Sequence, residues 1–321
     1  MERKMMNLRK AYGDALVELG KANPNIVALE ADLGKSTMSC LFKEAFPDRY
    51  FEMGIAEQDM ASVAAGLALA GKISFYSTFA VFASGRAYDQ IRCSIAIPGA
   101  NVRICGSSCG LSDYGDGKTH QSVEDANILC AMPGMTVLNP VDAIETAKMM
   151  KALAGFQGPA YIRVNRNDLP VFTPEQGDYQ IGKIYPVAWD NDASAAAQND
   201  VAIFATGVMV SKAALAAEKL KAKGVGVQVL NVSTLKPLIK EEALRYAAGK
   251  KAIITAEESV RTGGMGSAIA SLLMGEINAP FRQVAINDQF GTSARSYEEL
   301  LDKYGLGADD VYNAACSALQ I

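Results

Sequence analysis

Short runs of β-branched and aliphatic residues recur along this chain, each followed by a longer stretch with helical periodicity. That alternation constrains the fold more than any other feature, because it is the pattern of βαβ units feeding a parallel sheet. In the first half the runs predict strands over 26–30, 73–77, 102–106, 135–139 and 160–164, with helices over 7–22, 58–71, 84–97, 123–131 and 141–154. The second half repeats the pattern, with strands over 201–205, 225–231, 252–257 and 282–286 and helices over 210–221, 240–248 and 264–274. From Asn167 to Asn199 the periodicity gives way to Pro, Gly, Asn and Asp, which marks a linker. With 321 residues the chain exceeds one ordinary hydrophobic core. The expectation is an α/β protein of two doubly wound domains with mostly parallel sheets: residues 1–170, a linker over 171–198, and residues 199–321.

Charge and composition narrow the function. The formal net charge of −4 gives no electrostatic footprint for a nucleic-acid partner. The basic start runs into a helical pattern interrupted by Asp14 and Glu18, unlike a signal peptide. The longest weakly polar run, over 61–70, is too short to span a bilayer. A soluble, cytoplasmic protein without a membrane partner is expected. The six cysteines are scattered and read as thiols rather than bridges. His120 is the single histidine, so a metal site within this chain is not expected.

Four segments carry chemistry. In ALEADLGKS an apolar strand ends in Glu30, Asp32 and Ser36, at the edge where open α/β sheets bind ligands; Asp32 is equally read as a helix cap. In FEMGIAEQDM, Glu57 heads a helix in which Ala61, Ala64, Ala65 and Ala68 return to one side. A buried, unpaired glutamate there has its pKa raised and exchanges a proton near neutrality; a solvated first-turn acid is the plainer reading. In STFAVF, Phe79 and Phe82 follow a strand and suit either stacking on a flat heterocycle or the core. The glycine-rich GSSCGLSDYGDGKTHQSVED holds Asp113, Asp116, Lys118 and His120 in a long polar loop, where function is the leading reading.

Taken in order, these segments resemble the pyrimidine-binding domain of the transketolase family. GIAEQDM resembles its catalytic-glutamate motif, STFAVF its pyrimidine-stacking aromatics, and DGKTHQSVED its substrate loop; TLKPL, EESVRTGGMG and DQFGTS resemble its C-terminal domain. The resemblance implies ketol transfer between sugar phosphates with thiamine diphosphate as cofactor, an electron sink that needs a proton moved on its aminopyrimidine. It implies Glu57 and His120 as catalytic residues, with Asp32, Glu57, Phe79 and Phe82 on the cofactor. It also implies Arg9, Ser36, Ser108, Asp116, Lys118, His120 and Arg166 on substrate, with Arg9, Ser36 and Arg166 around its phosphate. The family's diphosphate domain, with its metal-binding asparagines, has no counterpart here: after the GDG at 115–117 the downstream strand ends in Asn139 followed by Pro140. A partner subunit is therefore implied. It would share the cofactor and hold magnesium or a similar divalent ion, within an α2β2 heterotetramer built on a homodimer of this chain.

The departures bear on substrate choice. Ser108 stands where a GSHCG-like segment has histidine, and Gly115 and Lys118 replace residues of a GEDGP-like turn. An anionic terminus on at least one substrate, with Lys118 as a compensating cation, is the resulting expectation. Alternatives are a deoxyxylulose-phosphate-synthase-like subunit, a 2-oxoacid dehydrogenase beta subunit, or a non-catalytic scaffold. The paired phenylalanines, THQSVED and the retained Glu57 argue against each in turn.

Overall fold

The structure is a computed structural model that describes residues 3–189 and 200–321; the linker stretch 190–199 lies outside the described residues. Its strands in chain order are β1 (Met5–Asn7), β2 (Ile26–Glu30), β3 (Tyr50–Glu52), β4 (Ile73–Phe79), β5 (Val102–Ser107), β6 (Thr136–Leu138) and β7 (Ala160–Val164). The series continues with β8 (Asp168–Pro170), β9 (Tyr185–Pro186), β10 (Val201–Ala205), β11 (Val227–Asn231), β12 (Thr234–Lys236), β13 (Ala252–Val260) and β14 (Phe281–Ile286). A seven-stranded sheet has the order β12-β6-β7-β5-β4-β2-β3, and a five-stranded sheet the order β14-β13-β10-β11-β9. All pairings within them are parallel except β12 with β6 and β9 with β11, each antiparallel at an edge. Strands β2, β7 and β10 are buried at every residue, the condition of parallel strands covered on both faces.

Helix Leu8–Ala22 starts where the Asn7 side chain accepts from the Lys10 amide at 3.0 Å. It buries Leu8, Tyr12 and Leu16, four residues apart, on one face. Gly20 completes that face, since a Cβ there would lie 2.5 Å from the Phe42 ring. The alanine side of helix Glu57–Leu69 packs as expected: Ala61, Ala64 and Ala65 are buried, while Ala68 is half-buried.

Three features differ from the sequence reading. The expected helix over 84–97 is two π-helical segments, Phe82–Arg86 and Ile91–Ala96, joined by the short helix Tyr88–Gln90. The second half adds β12 to the first sheet, pairing Thr234 with Leu138, so TLKPL reaches out of its own sheet. Helices Tyr297–Lys303 and Ala308–Leu319 close the chain beyond the last expected strand. No helix among the described residues is long and apolar enough to cross a membrane.

Candidate functional site

Within the seven-stranded sheet the chain passes from β2 outward to β3, then back to β4 on the other side of β2. This reversal creates a crevice beyond the carboxyl ends of β2 and β4, the position where open sheets take ligands. Asp32 lies just past β2 in the left-handed region at φ 60°, its N–H donating to Glu52 Oε1 at 2.8 Å. It is not a helix cap: Leu33 takes that place before helix Gly34–Thr37, and the Asp32 side chain is left exposed. Glu30 is fully buried and accepts from Thr37 Oγ1 at 2.7 Å and Ser39 Oγ at 2.5 Å. Burial outweighs those bonds and pushes its carboxyl up to about 7.

Glu57 is the first residue of its helix and only 1% exposed. The buried reading holds over the plainer solvated one, but the carboxylate is paired. Arg86 Nη1 reaches both Glu57 oxygens at 2.8 Å, adding a cation to the favourable end of the helix dipole. Arg86 comes from the first π-helical segment, and its guanidinium also lies 4.3 Å from the Phe82 ring centroid. π-Helical turns shift side chains out of the 3.6-residue register, which explains why an α-helical reading of 84–97 missed this arginine. Phe79 ends β4 and stacks on Phe82, with centroids 6.1 Å apart and planes inclined by 16°. His120 stands edge-on to both rings, at 6.2 and 5.5 Å.

Beyond the aromatic pair the row becomes cationic. The Arg166 guanidinium lies 5.9 Å from the Phe79 centroid and donates to Asp113 Oδ2 at 2.6 Å. Arg9 donates to the Ser36 carbonyl at 2.9 Å, while its Nε is buried without a partner among the described residues. Burial first, and then repulsion from Arg166, lower the Arg9 pKa, so the two guanidiniums share one environment. Burial raises the Asp113 carboxyl against the pull of Arg166.

Contacts thus join Glu57, Phe82, Phe79, His120 and Arg166 in one row, with Arg9 and Ser36 beside it. Other expected residues stand apart. Lys118 is exposed on the turn Gly117–Thr119 and forms no ion pair among the described residues, so it is no fixed part of the cationic end. Asp116 is exposed; its charge raises the Asp113 carboxyl while a hydrogen bond from its backbone lowers it. Ser108 is fully buried at φ 53°, and its hydroxyl has no partner among the described residues. The Thr78 and Ser107 hydroxyls, at the ends of β4 and β5, are also buried and unpartnered among the described residues. Buried polar groups without partners are rare in folded proteins, and these cluster at the carboxyl ends of β4 and β5, where Ser107 pairs with Phe79. A buried carboxylate, a stacked aromatic pair and unpaired hydroxyls fit the acid, ring surface and polar edge that an aminopyrimidine requires.

Comparisons with known proteins identify the family. The transketolase pyrimidine-binding domain matches residues 4–171, and the transketolase C-terminal domain matches residues 194–311. A protein of Methanocaldococcus jannaschii named putative transketolase C-terminal section is 38% identical over 95% of this chain and 93% of its own length. A 6-deoxy-6-sulfo-D-fructose transketolase subunit from a Clostridium species is 40% identical over 96% of this chain and 93% of its own. The transketolase of Rattus norvegicus is 37% identical, but this chain covers only 48% of it. Among solved structures, one described as a split gene transketolase, inactive beta4 tetramer, matches with TM-score 0.87 and 41% identity over 99% of both chains.

Proposed function

The chain belongs to the transketolase family, and on that footing we propose that it is the subunit of a split, thiamine-diphosphate-dependent transketolase that grips the cofactor's pyrimidine. The observation that carries this is Glu57, buried at a helix N-terminus next to the stacked Phe79 and Phe82. When bound, the cofactor supplies the electron sink that lets a ketose lose a two-carbon unit to an aldose. Glu57 offers its carboxylate oxygens for proton exchange with the ring, and Arg86 Nη1, 2.8 Å from both, fixes their position. Phe79 and Phe82 offer an apolar face that excludes water from the ring. Asp32 lies on the cofactor side of the crevice. His120, edge-on to both phenylalanines, together with Asp116 on the loop, faces the substrate hydroxyls. Arg9, Ser36 and Arg166 take the far end of the substrate, which the name of the clostridial relative shows need not be a phosphate in this family.

A diphosphate-binding subunit is the proposed partner, bringing the divalent ion and the other half of the cofactor site. The beta4 relative described as inactive, and the 48% coverage of the rat enzyme, support a chain that works only in such an α2β2 assembly. Mixing experiments test this. The chain alone gives no ketol transfer and holds thiamine diphosphate weakly, and addition of the partner restores both. Transfer by the chain alone would overturn the split-subunit reading.

A further inference from the structure

The cationic end of the row carries less charge than two arginines suggest. The Asp113 side chain is 3% exposed against 34% for Arg166, so the carboxylate occupies the sheltered side of the pair. The backbone around Asp113 is fastened to the second half of the chain. Gln121 Nε2 donates to the Asp113 carbonyl at 3.0 Å and to the Thr292 carbonyl at 3.1 Å. The Leu111 amide donates to Glu258 Oε1 at 2.8 Å, and the Ala294 amide to the Tyr114 carbonyl at 2.9 Å. Gly291 and Gly117 allow this contact: a Cβ on the first would lie 1.9 Å from Gln121 Oε1, and one on the second 2.5 Å from Ser293 Oγ.

A carboxylate on a segment braced from both sides does not swing aside when an anion arrives. Two guanidiniums less one fixed carboxylate leave at most one net positive charge, which the nearby Asp168 and Asp116 weaken further. A singly charged terminus is matched by it, whereas a doubly charged one also meets the field of Asp113 with no second counter-charge. We infer that Asp113, held in place by Gln121 and the C-terminal half, sets the charge this site accepts and selects ketoses with a singly charged terminus over phosphorylated ones. The inference rests on the ketol-transfer reading above, and it gives the C-terminal half a part in specificity: it positions the loop that carries the selector.

The test uses the complex with the diphosphate-binding subunit and three donors matched in shape: fructose 6-phosphate, 6-deoxy-6-sulfofructose and fructose. At a pH of about 8 the phosphate is doubly charged. The wild-type complex gives its highest kcat/KM with the sulfonate. Asp113→Asn keeps the side chain's size and an oxygen for Arg166, and it raises the phosphate-to-sulfonate ratio of kcat/KM by about tenfold or more, mainly through the KM for the phosphate. A wild-type preference for the phosphate, which needs no variant to observe, overturns the inference. So does an unchanged ratio in Asp113→Asn, or a loss of kcat alike for all three donors. Transfer from none of the three by the wild-type complex overturns instead the ketol-transfer reading on which it rests.

Discussion

Glu145→Gln is expected to flatten the dependence of stability on pH. Glu145 is 3% exposed, in the first turn of helix Ala143–Gly155, yet three of its bonds come from the other half of the chain. It accepts from Asn231 Nδ2 at 2.9 and 3.1 Å and from Ser233 Oγ at 2.8 Å, as well as from the Val141 amide at 2.8 Å. Burial outweighs these donors and pushes its carboxyl from 4.5 up to about 7. The folded chain therefore keeps a proton that the unfolded chain has lost. The stability linked to that proton is fully present below a pH of about 4.5, declines as pH rises, and is gone above about 7. Integrated across that window the loss is about 3 kcal/mol, with a steepest slope near 1.4 kcal/mol per pH unit, an order-of-magnitude figure. Glutamine copies the protonated acid: its oxygen accepts from Val141 and Asn231 while its amide donates to Ser233. The assay is urea unfolding of both proteins at fixed protein concentration across this pH range. The difference between the two curves isolates Glu145 from Glu30, Glu257 and Glu258, whose carboxyls are also raised to about 7. Parallel curves would refute the reasoning and show that Glu145 is ionised throughout.

Phe79→Ala and Phe82→Ala are expected to weaken thiamine diphosphate binding to the complex by more than they lower the melting temperature of the cofactor-free chain. Phe82, being only half-buried, should show the greater separation; if only the melts move, the pair is ordinary core. Gly291→Ala is expected to cost about 1–3 kcal/mol in urea unfolding, because the new methyl must displace Gln121. A neutral result would mean that Gln121 is not fixed where the substrate loop needs it.

Much of the framework was legible because it is local. Strands β2, β7 and β10 fall on the expected residues, since a parallel strand buried on both faces is a continuous apolar run. Glu57, Phe79, Phe82 and His120 could be named from segments of unusual composition and Arg166 from the family resemblance, and the fold brings them into one row. What could not be read is what depends on distant partners. The antiparallel pairing of β1 with β8 joins residues 161 to 165 positions apart, and β12 completes a sheet begun by another half of the chain. The Arg86–Glu57 and Arg166–Asp113 pairs span 29 and 53 residues, and no local period announces them. Helix Tyr297–Lys303 had a readable start, with Ser296 accepting from the Glu299 amide, but the sequence reading assigned no element beyond the strand over 282–286.

The central claim is that Glu57 governs proton exchange for ketol transfer. Its most direct test is the turnover of the complex carrying Glu57→Gln against wild type, with folding checked by thermal melting. The account predicts normal assembly and a kcat lowered on the order of 100-fold or more, as when a positioned proton-transfer group is removed. A well-folded Glu57→Gln complex that turns over at the wild-type rate would contradict it.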